Sequence, residues 1–454
     1  MGRLFGTDGA RGVANTELTA ELAMAIGRAA AVVLAKPQGG KPRVLIGKDT
    51  RISGDMLEAA LTAGFCSVGA DVFSAGVVPT PAVAYLVQKY GMDAGVMISA
   101  SHNPSEYNGI KLFSGDGYKL PDELENRIEE FVLDGKELPA APTHGGIGRA
   151  TVLDEALADY VEYITETTDQ SFSGMKIALD CANGSSAMTA KVLFETLGAE
   201  VSMLSDMPDG ININDNCGST HIGRLAEFVK GGGFDCGFAF DGDADRCLAV
   251  DAEGDLVDGD KMIAICAADL KSRGKLRGNK AVVTVMSNMG FFRCAKDNGF
   301  EADITKVGDR YVLEEMLNKN YAIGGEQSGH IIFLDYATTG DGELSAVQLL
   351  SVMKRSGKTL GELAKIMTVY PQILINITVS NQKKPLLDTD ADILSAIKSA
   401  ESAMGDSGRV LVRASGTEPL VRVMLEGADK AQITELAYSI SDVVANKLDG
   451  NIKQ

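Results

Sequence analysis

The stretch RVLIGKD at residues 43–49 decides the fold, because KIALDC at 176–181 and KAVVTV at 280–285 repeat its pattern. Each is a short apolar run of the kind that forms a buried strand. A polar loop, a helical segment and a second strand follow each run, and the second strands begin near Gly69, Gly198 and Gly299. The paired strands begin roughly 19 to 26 residues apart, which suits a βαβ unit with a right-handed crossover. The sequence therefore predicts three similar α/β domains.

The pattern changes after the Tyr-Pro pair at 370–371. Ile373, Ile375 and Ile377 alternate with other residues, as in an antiparallel strand with one exposed face. Residues 431–448 carry apolar side chains at helical spacing, which predicts a helix over one face of that sheet. We therefore expect a fourth, smaller α+β domain.

Composition marks the boundaries between the domains. Residues 135–148 contain two prolines and a Gly-Gly pair, which are typical of a linker, and a polar run at 252–260 precedes a long helical pattern. From these signals we expect four domains, at residues 1–145, 146–254, 255–368 and 369–454.

The N-terminal residues predict a loop that leads into a helix. FGTDGARG at 5–12 holds three glycines, which suits a backbone loop that folds closely around a ligand. Residues 17–36 then place apolar side chains on one helical face, with Thr16 or Asn15 as the expected N-cap.

The composition restricts the classes of function. The net charge is -19, with 62 acidic and 43 basic residues, so neither nucleic acid nor an anionic membrane is an expected partner. No apolar run is long enough to predict a membrane span, and the N-terminal residues lack a signal-peptide core. Seven dispersed cysteines without a Cys-x-x-Cys pair argue against a disulfide framework or a zinc site. We expect a cytoplasmic enzyme.

The run ISASHNP at 98–104 predicts a loop that carries a reactive serine. Residues 94–98 have the pattern of a short buried strand, and the Asn-Pro pair that ends the run signals a turn. Ser101 is therefore expected at a strand end, with its hydroxyl presented rather than packed. Spacing alone does not separate Ser101 from Ser99, and an ordinary serine-rich turn is the alternative.

The run DGDADR at 241–246 lies between two strand-like segments. Three aspartates at alternate positions of an extended loop converge on one side, where a hard cation is the expected neutraliser. A calcium EF-hand is excluded because it requires Gly and Glu where this chain has Arg246 and Ala252. An acidic surface turn is the remaining alternative.

Two further motifs predict binding loops. In GGEQSGH at 324–330, Glu326 and Ser328 can form hydrogen bonds with the ring hydroxyls of a ligand. A glycine-rich turn with a hydrogen-bonded histidine is the alternative. RASGTEP at 413–419 lies between two strand-like segments and offers an arginine, two hydroxyls and an accessible backbone amide to a phosphate, with Arg422 on the following strand. A hairpin turn with a solvated arginine is the alternative.

These four motifs resemble those of the α-D-phosphohexomutases, in the same order and over essentially the whole chain. SHNP at 101–104, followed by NGIK at 108–111, is similar to the phosphoserine loop of that family, and DGDADR matches its metal-binding loop at every fixed position. FGTDGARG, VGDRYV at 307–312 and the glutamine of GGEQSGH look like the bacterial branch that acts on glucosamine phosphates. The resemblance implies four domains around a central cleft, in an enzyme of amino-sugar and cell-wall precursor synthesis.

The resemblance also implies roles for individual residues. Ser101 would carry a phosphoryl group, and Mg²⁺ would be held by an oxygen of that group and by Asp241, Asp243 and Asp245. The residues implied in acid–base catalysis or in lining the reactive centre are Lys111, His330, Arg11 and Arg246. The residues implied in substrate binding are Glu326 and Ser328 at the sugar, and Arg413, Ser415, Gly416, Thr417 and Arg422 at its phosphate.

The expected activity is the interconversion of the 6- and 1-phosphates of glucosamine through a bisphosphorylated sugar, by a monomer or homodimer whose partner is a small hexosamine phosphate. A mutase for mannose or glucose phosphates is the first alternative. A metal-dependent sugar phosphatase and a non-catalytic sugar-phosphate binder are the others. A phosphatase has no use for a fixed phosphate cradle opposite a donor serine, which favours the mutase.

Overall fold

The computed structural model describes residues 2–6, 8–34, 40–415 and 418–453. They divide into two compact units, of which the first comprises Met1–Met286 and Phe300–Ile366 and the second comprises Ser287–Gly299 and Met367–Gln454. None of the helices in these described ranges is both long and apolar enough to cross a membrane.

The first repeat is a six-stranded sheet in the order β1-β5-β4-β2-β3-β6. Its elements are β1 (Ala10–Val13), α1 (Ala20–Leu34), β2 (Arg43–Lys48), α2 (Ser53–Ser67), β3 (Asp71–Val77), α3 (Thr80–Lys89), β4 (Ala94–Ile98), β5 (Tyr107–Ser114), α4 (Asp122–Leu133) and β6 (Ala150–Val152). Strand β6 pairs with β3, so the first sheet extends past residue 145, where the sequence suggested a boundary.

The second repeat is a five-stranded sheet in the order β11-β10-β9-β7-β8. Its elements are α5 (Ala156–Glu166), β7 (Lys176–Asp180), α6 (Ala190–Thr196), β8 (Glu200–Leu204), α7 (Gly223–Gly232), β9 (Cys236–Phe240), β10 (Cys247–Asp251) and β11 (Leu256–Val257). The β7-α6-β8 segment is the predicted βαβ unit, and its two strands pair in parallel.

The third repeat is a four-stranded sheet in the order β13-β12-β14-β15. The elements in this part of the chain are α8 (Gly259–Ser272), β12 (Lys280–Thr284), α9 (Met289–Asp297), β13 (Glu301–Thr305), α10 (Asp309–Lys319), β14 (Ile323–Gly325), β15 (Ile331–Phe333), α11 (Gly342–Ser356) and α12 (Leu360–Ala364). Helix α9 belongs to the second compact unit, although it connects two strands of this sheet.

One strand pattern recurs in all three repeats, which confirms the predicted repetition. The orders β3-β2-β4-β5, β8-β7-β9-β10 and β13-β12-β14-β15 each join three parallel strands to one antiparallel strand. In each repeat the turn into the antiparallel strand begins at the carboxyl end of a buried parallel strand. Those three turns contain the serine, aspartate and glycine-rich motifs.

The second unit contains an antiparallel sheet in the order β17-β18-β16-β19. Its remaining elements are β16 (Gln372–Thr378), α13 (Ala391–Met404), β17 (Gly408–Ala414), β18 (Leu420–Gly427), α14 (Lys430–Leu448) and β19 (Asn451–Lys453). Ile375 and Ile377 are buried while Leu374 is 46% exposed, which confirms the predicted alternation. Helix α13 was not predicted, although Asp390 caps it through the backbone amides of Asp392 and Ile393.

The predicted start of α1 was wrong by three residues. The backbone amides of Thr16, Glu17 and Leu18 all donate to the carbonyl oxygen of Val13, which forms a turn and not a helix. The helix begins at Ala20, and the hydroxyl of Thr19 accepts a hydrogen bond from Leu22 N at 3.2 Å. Thr19 therefore performs the capping that was expected of Thr16 or Asn15, and the predicted end of this helix at Lys36 lies outside the described residues.

Helices α1 and α2 approach closely enough that a glycine is required at their crossing. A Cβ atom at Gly64 would lie 2.4 Å from the carbonyl oxygen of Met24 and 3.2 Å from the amide nitrogen of Arg28. By contrast, Gly231 in α7 has no atom within 4 Å of the corresponding position.

We predict opposite effects of the same substitution at these two sites. Gly64→Ala should destabilise the first unit by roughly 1–3 kcal/mol, because overpacking outweighs the better helix propensity of alanine. Gly231→Ala should leave stability unchanged or raise it by up to about 1 kcal/mol. The apparent Tm of each variant, measured by circular dichroism, checks both signs, and a Gly64→Ala protein as stable as the parent would contradict the packing argument.

Candidate active site

The turns β4–β5 and β9–β10 meet in the first unit. The hydroxyl of Ser101 donates to Asp241 Oδ2 at 2.6 Å, although the two residues are far apart in sequence. Gly242 permits this approach, because a Cβ atom there would lie 2.7 Å from the carbonyl oxygen of Ser101. The structure thus brings together two motifs that the sequence placed in separate domains.

Ser101 is only 1% exposed, so the expectation of a presented hydroxyl was wrong. The aspartate turn of the second repeat covers it. Ser101 adopts a positive φ of 52°, which is uncommon for a residue with a side chain. The hydroxyl of Ser99 is directed elsewhere and donates to Asp49 Oδ2 at 2.6 Å. Geometry therefore distinguishes the two serines, which sequence spacing could not.

Asp241, Asp243 and Asp245 form one buried cluster whose ligand oxygens lie within 4.8 Å of one another. Thr80 Oγ1 donates to Asp243 Oδ2 at 2.6 Å, and Lys111 Nζ donates to the same atom at 2.7 Å. The Oδ1 atoms of Asp243 and Asp245 are buried without a hydrogen-bond partner among the described residues.

The pKa values show how much negative charge is concentrated in this cluster. Burial, together with the charges of Asp245 and Asp243, raises the pKa of Asp241 well above its usual range. Burial alone would raise the pKa of Asp243 also, but the charge and hydrogen bond of Lys111 lower it to about 2. Burial would lower the pKa of Lys111, but the neighbouring carboxylates raise it above its usual value.

This arrangement fits a small hard cation. Carboxylate oxygens are the preferred ligands of such ions. Burial of the Oδ1 atoms of Asp243 and Asp245 without a hydrogen-bond partner among the described residues costs free energy, and a bound cation would compensate this cost. Lys111 is one cation among three neighbouring carboxylates, so it does not neutralise the cluster by itself.

Arg246 and Arg11 lie beside this group of carboxylates. Arg246 Nε is 3.9 Å from Asp245 Oδ1, and Arg11 forms an ion pair with Asp8. Burial, with the charges of Arg246 and Arg11, lowers the pKa of His102, which adjoins Ser101. The Nε atoms of both arginines are buried without a hydrogen-bond partner in the described part of the chain. These donors are therefore available to an anionic ligand.

The β14–β15 turn holds the predicted sugar-recognition residues. Glu326 Oε1 accepts a hydrogen bond from Gly308 N at 3.0 Å, and Ser328 is exposed. The ring of His330 is 3% exposed, and neither of its nitrogens has a hydrogen-bond partner among the residues described. Its Nε2 atom lies 3.9 Å from Asp309 Oδ2. Both ring nitrogens are therefore free to form a hydrogen bond with an incoming group.

Three residues that sequence reasoning missed link the candidate catalytic groups. Lys119 Nζ is 2.8 Å from Asp8 Oδ1 and 2.5 Å from Asp309 Oδ2. Asp8 also lies 3.4 Å from Lys111 Nζ and pairs with Arg11. Asp8 and Asp309 belong to FGTDGARG and VGDRYV, so those two motifs contained the available signal. Lys119 follows no recognisable pattern.

In the second unit, the predicted phosphate loop lies between β17 and β18. Arg413 and Arg422 are directly opposite in the antiparallel ladder, so their side chains leave the same face of the sheet. Arg422 pairs with Glu418 at 2.5 Å, whereas the side chain of Arg413 makes no hydrogen bond or ion pair with the residues described. Burial and the charge of Arg422 lower the pKa of Arg413. Two adjacent cations, of which only Arg422 has a carboxylate partner among the described residues, favour a bound anion.

Lys384 fixes both ends of this loop, and sequence reasoning missed it as well. Its ammonium donates to the carbonyl oxygen of Ser415 at 2.7 Å and to that of Glu418 at 2.5 Å. The hydroxyl of Ser415 accepts a hydrogen bond from Glu418 N at 3.2 Å. Gly416 and Thr417, which the sequence also implicated, lie outside the described residues.

Comparison with known proteins identifies the family. The models of the phosphoglucomutase/phosphomannomutase family match in four parts, as alpha/beta/alpha domain I at 2–138, domain II at 158–254, domain III at 258–370 and the C-terminal domain at 374–443. The phosphoglucosamine mutase of Clostridium novyi is 56% identical over 447 residues, which cover 98% of this chain and 99% of that protein. The chain belongs to the phosphoglucosamine mutases. Another member, from Caldicellulosiruptor bescii, is 56% identical over 451 residues, or 99% of this chain and 100% of its own.

Solved structures of the wider phosphohexomutase superfamily share the fold of this phosphoglucosamine mutase. A phosphoglucomutase/phosphomannomutase family protein from Burkholderia thailandensis has a TM-score of 0.81 at 24% identity, over 98% of this chain and 97% of that one. The N-acetylphosphoglucosamine mutase of Aspergillus fumigatus has a TM-score of 0.71 at 18% identity, over 98% and 96%. The four-domain α/β prediction is thereby confirmed. As a mutase the enzyme is an isomerase, and neither the phosphatase nor the non-catalytic binder is supported.

We predict that Lys384→Met weakens phosphate binding at the β17–β18 loop by about tenfold or more, since charge-assisted hydrogen bonds to both loop ends are lost. Calorimetric titration with a hexose phosphate measures the change. Lys430→Met removes the same charge from an exposed position in the same unit and serves as the control. Equal losses in the two variants would show that net charge, and not the shape of the loop, determines binding.

Proposed function

We propose that this mutase interconverts glucosamine 6-phosphate and glucosamine 1-phosphate through phosphorylated Ser101 and a bisphosphorylated sugar. The observation that carries the proposal is the contact of the Ser101 hydroxyl with Asp241, inside a buried cluster of carboxylates beside Lys111. A serine so placed is next to a site that favours a cation, which is the setting required for a phosphoryl group. The named relatives support the choice of amino sugar.

Phosphoryl transfer would proceed in two balanced steps. A hydroxyl of the sugar monophosphate attacks the phosphorus on Ser101, the bond from phosphorus to Ser101 Oγ breaks, and the proton of the sugar hydroxyl passes to Oγ. The sugar, now a bisphosphate, reorients end for end. Ser101 Oγ then attacks the phosphorus of the other phosphate, the bond from that phosphorus to the sugar oxygen breaks, and the proton of Oγ passes to that sugar oxygen. The enzyme regains its phosphoryl group, and the product is the isomeric monophosphate.

Asp241, Asp243 and Asp245 are the residues that would hold Mg²⁺, together with an oxygen of the phosphorylated Ser101. The unpartnered Oδ1 atoms of Asp243 and Asp245 support this assignment. The solved structure of the Aspergillus fumigatus N-acetylphosphoglucosamine mutase contains GlcNAc-6P and magnesium. When bound, Mg²⁺ supplies Lewis-acid stabilisation of the charge on the phosphoryl oxygens.

The proton transfers require groups that can change their protonation state. His330 would serve this role, because histidine is a common general acid or base and neither of its ring nitrogens is engaged by a described residue. Lys111 is held protonated by Asp243, Asp8 and Asp245, so it acts as a fixed positive charge or as an acid and is poorly suited to be a base. Arg11 and Arg246 would stabilise the charge of the transferring group.

The remaining predicted residues would bind the substrate. Arg413, Ser415 and Arg422 would hold its phosphate, and Gly416 and Thr417 complete the same motif. Glu326 and Ser328 would bind ring substituents. A phosphate site cannot tell one hexose phosphate from another, so selectivity among sugars must arise at the ring, where each contact changes the rate by modest factors.

We predict that kcat/KM is highest for glucosamine 6-phosphate and that glucose and mannose 6-phosphates are turned over more slowly. The three sugars are compared on one preparation of enzyme in which Ser101 is phosphorylated, and Ser101→Ala supplies the inactive control. Preference for either neutral sugar would replace the proposed substrate with a phosphoglucomutase or phosphomannomutase assignment. Full activity in Ser101→Ala would remove the serine from the mechanism.

Removal of the divalent cation should abolish turnover and leave the fold intact. Chelation with EDTA should reduce the rate to background while the circular dichroism spectrum is unchanged, and added Mg²⁺ should restore the rate. Asp245→Asn should weaken Mg²⁺ binding in a calorimetric titration, because one ligand charge is lost. Turnover that persists after chelation would exclude the ion. The oligomeric state and the cytoplasmic location stay predictions from the sequence.

A further inference from the structure

Arg51 lies beneath the serine loop, and the mechanism proposed above gives it no role. Its side chain is fully buried, and each N–H of the guanidinium is engaged. Nη2 donates to the carbonyl oxygens of Ser101 at 2.9 Å and Asn103 at 2.8 Å. Nη1 donates to those of Tyr107, at 3.0 Å, and Pro104. Nε donates to Asp49 Oδ2 at 2.8 Å.

Asp49 extends this network to the amide of Ser101. Asp49 Oδ2 also accepts from the hydroxyl of Ser99 at 2.6 Å, and the same hydroxyl accepts from Ser101 N at 2.9 Å. A second donor approaches from the other repeat, because Asn214 Nδ2 donates to the carbonyl oxygens of Ser101 at 2.9 Å and Asn103 at 3.1 Å. Both backbone polar groups of Ser101 are therefore fixed.

This restraint opposes an intrinsic preference of the backbone. Ser101 has a φ of 52°, and the left-handed region costs a residue with a Cβ atom on the order of 1 kcal/mol. Without the restraint the serine would relax to a negative φ, and its hydroxyl would no longer be directed at Asp241. A misplacement of about 1 Å can reduce the rate of a group transfer about a hundredfold.

The targets of Arg51 also argue against a role in general stability alone. Four of its five hydrogen bonds end on carbonyl oxygens of the single loop 101–107, and the fifth ends on a carboxylate that holds the same loop through Ser99. Burial of a charge is costly, and here it is compensated by contacts that fix one backbone conformation.

We propose that Arg51, together with Asp49 and Ser99, is the positioning unit of the reactive serine. This unit holds Ser101 in the left-handed conformation that directs Oγ at Asp241, and so sets the rate of phosphoryl transfer in both directions without contributing to the affinity for the sugar. The inference rests on the proposed role of Ser101 as the phosphoryl carrier.

Two mild variants test the proposal. Ser99→Ala removes the acceptor for Ser101 N, and Asn214→Ala removes one donor to Ser101 O. Each should lower kcat by about tenfold or more while KM stays within about twofold, because the loop loses order but the sugar site is untouched. Arg51→Lys keeps the charge next to Asp49 but cannot reproduce the planar fork of donors, so we expect a loss of about a hundredfold.

Two matched variants control for the chemistry of the substitutions. Ser441→Ala removes a buried hydroxyl that has no hydrogen-bond partner in the described ranges. Arg355→Lys replaces an arginine that pairs with the carboxylate of Asp269, which a lysine can also reach. Both controls should retain the parental kcat and KM.

A spectroscopic measurement separates this proposal from the proposed function. The ³¹P resonance of the phosphorylated protein should be a single narrow line in the parent, and it should shift or broaden in Ser99→Ala and Asn214→Ala at an unchanged Tm. If the parent carries phosphate on Ser101 but prefers another sugar, the substrate assignment fails and the positioning test still applies.

Two results would overturn the positioning role. One is an unchanged kcat and ³¹P line in both mild variants. The other is a loss of activity that runs parallel to a fall in Tm and a rise in KM, since this pattern marks a structural role. If Arg51→Lys does not fold, the two mild variants decide the question alone.

Discussion

The concentration of negative charge around Ser101 is the constraint on which the rest of the first unit depends. Three aspartates converge within 4.8 Å in a buried pocket, and the serine hydroxyl joins them at 2.6 Å. Buried carboxylates repel one another strongly unless cations are near. Lys111 and Arg246 lie beside the cluster, and Lys119 and Arg11 compensate Asp8 next to it. The proposed phosphoryl group on Ser101 would add roughly two more negative charges, which favours a divalent cation at this cluster.

A second theme is that cations hold the functional loops from behind. Arg51 binds carbonyl oxygens of the serine loop, and Lys384 binds both ends of the phosphate loop. Neither residue needs to touch the substrate in order to matter. Hydrogen bonds from such a side chain to carbonyl oxygens fix the backbone conformation of a loop. The amides and hydroxyls of that loop can then face a ligand. The same positive charge also favours an anionic ligand nearby, so one residue serves conformation and electrostatics together.

The repeated strands, the four loops and the C-terminal sheet were predictable, because each leaves a local pattern such as an apolar run, period-two alternation or a turn signal. The burial of Ser101 was not predictable, since it depends on Gly242 in another repeat. Arg51 and Ser101 are 50 residues apart and Asn214 and Ser101 are 113 apart, and no local pattern reports such contacts. The cap at Thr19 was missed because the preceding residues 13–18 close a turn that resembles a first helical turn in sequence. Lys119 and Lys384 are single lysines outside any motif, and only the fold gives them a role.

The repeated topology explains how one scaffold supports different tasks. The serine, aspartate and glycine-rich turns all join the last parallel strand of a repeat to its antiparallel neighbour. Residues in such turns lie outside the strands, so they can change without altering the sheets that position them. In the proposed mechanism, the first turn carries the serine that accepts the phosphoryl group, and the second carries the carboxylates. The third carries Glu326, which would bind the sugar, and His330, which would transfer protons. If Glu326 binds the sugar as proposed, selectivity can vary in the third turn while the contacts of Arg51 and Asp241 with Ser101 stay constant.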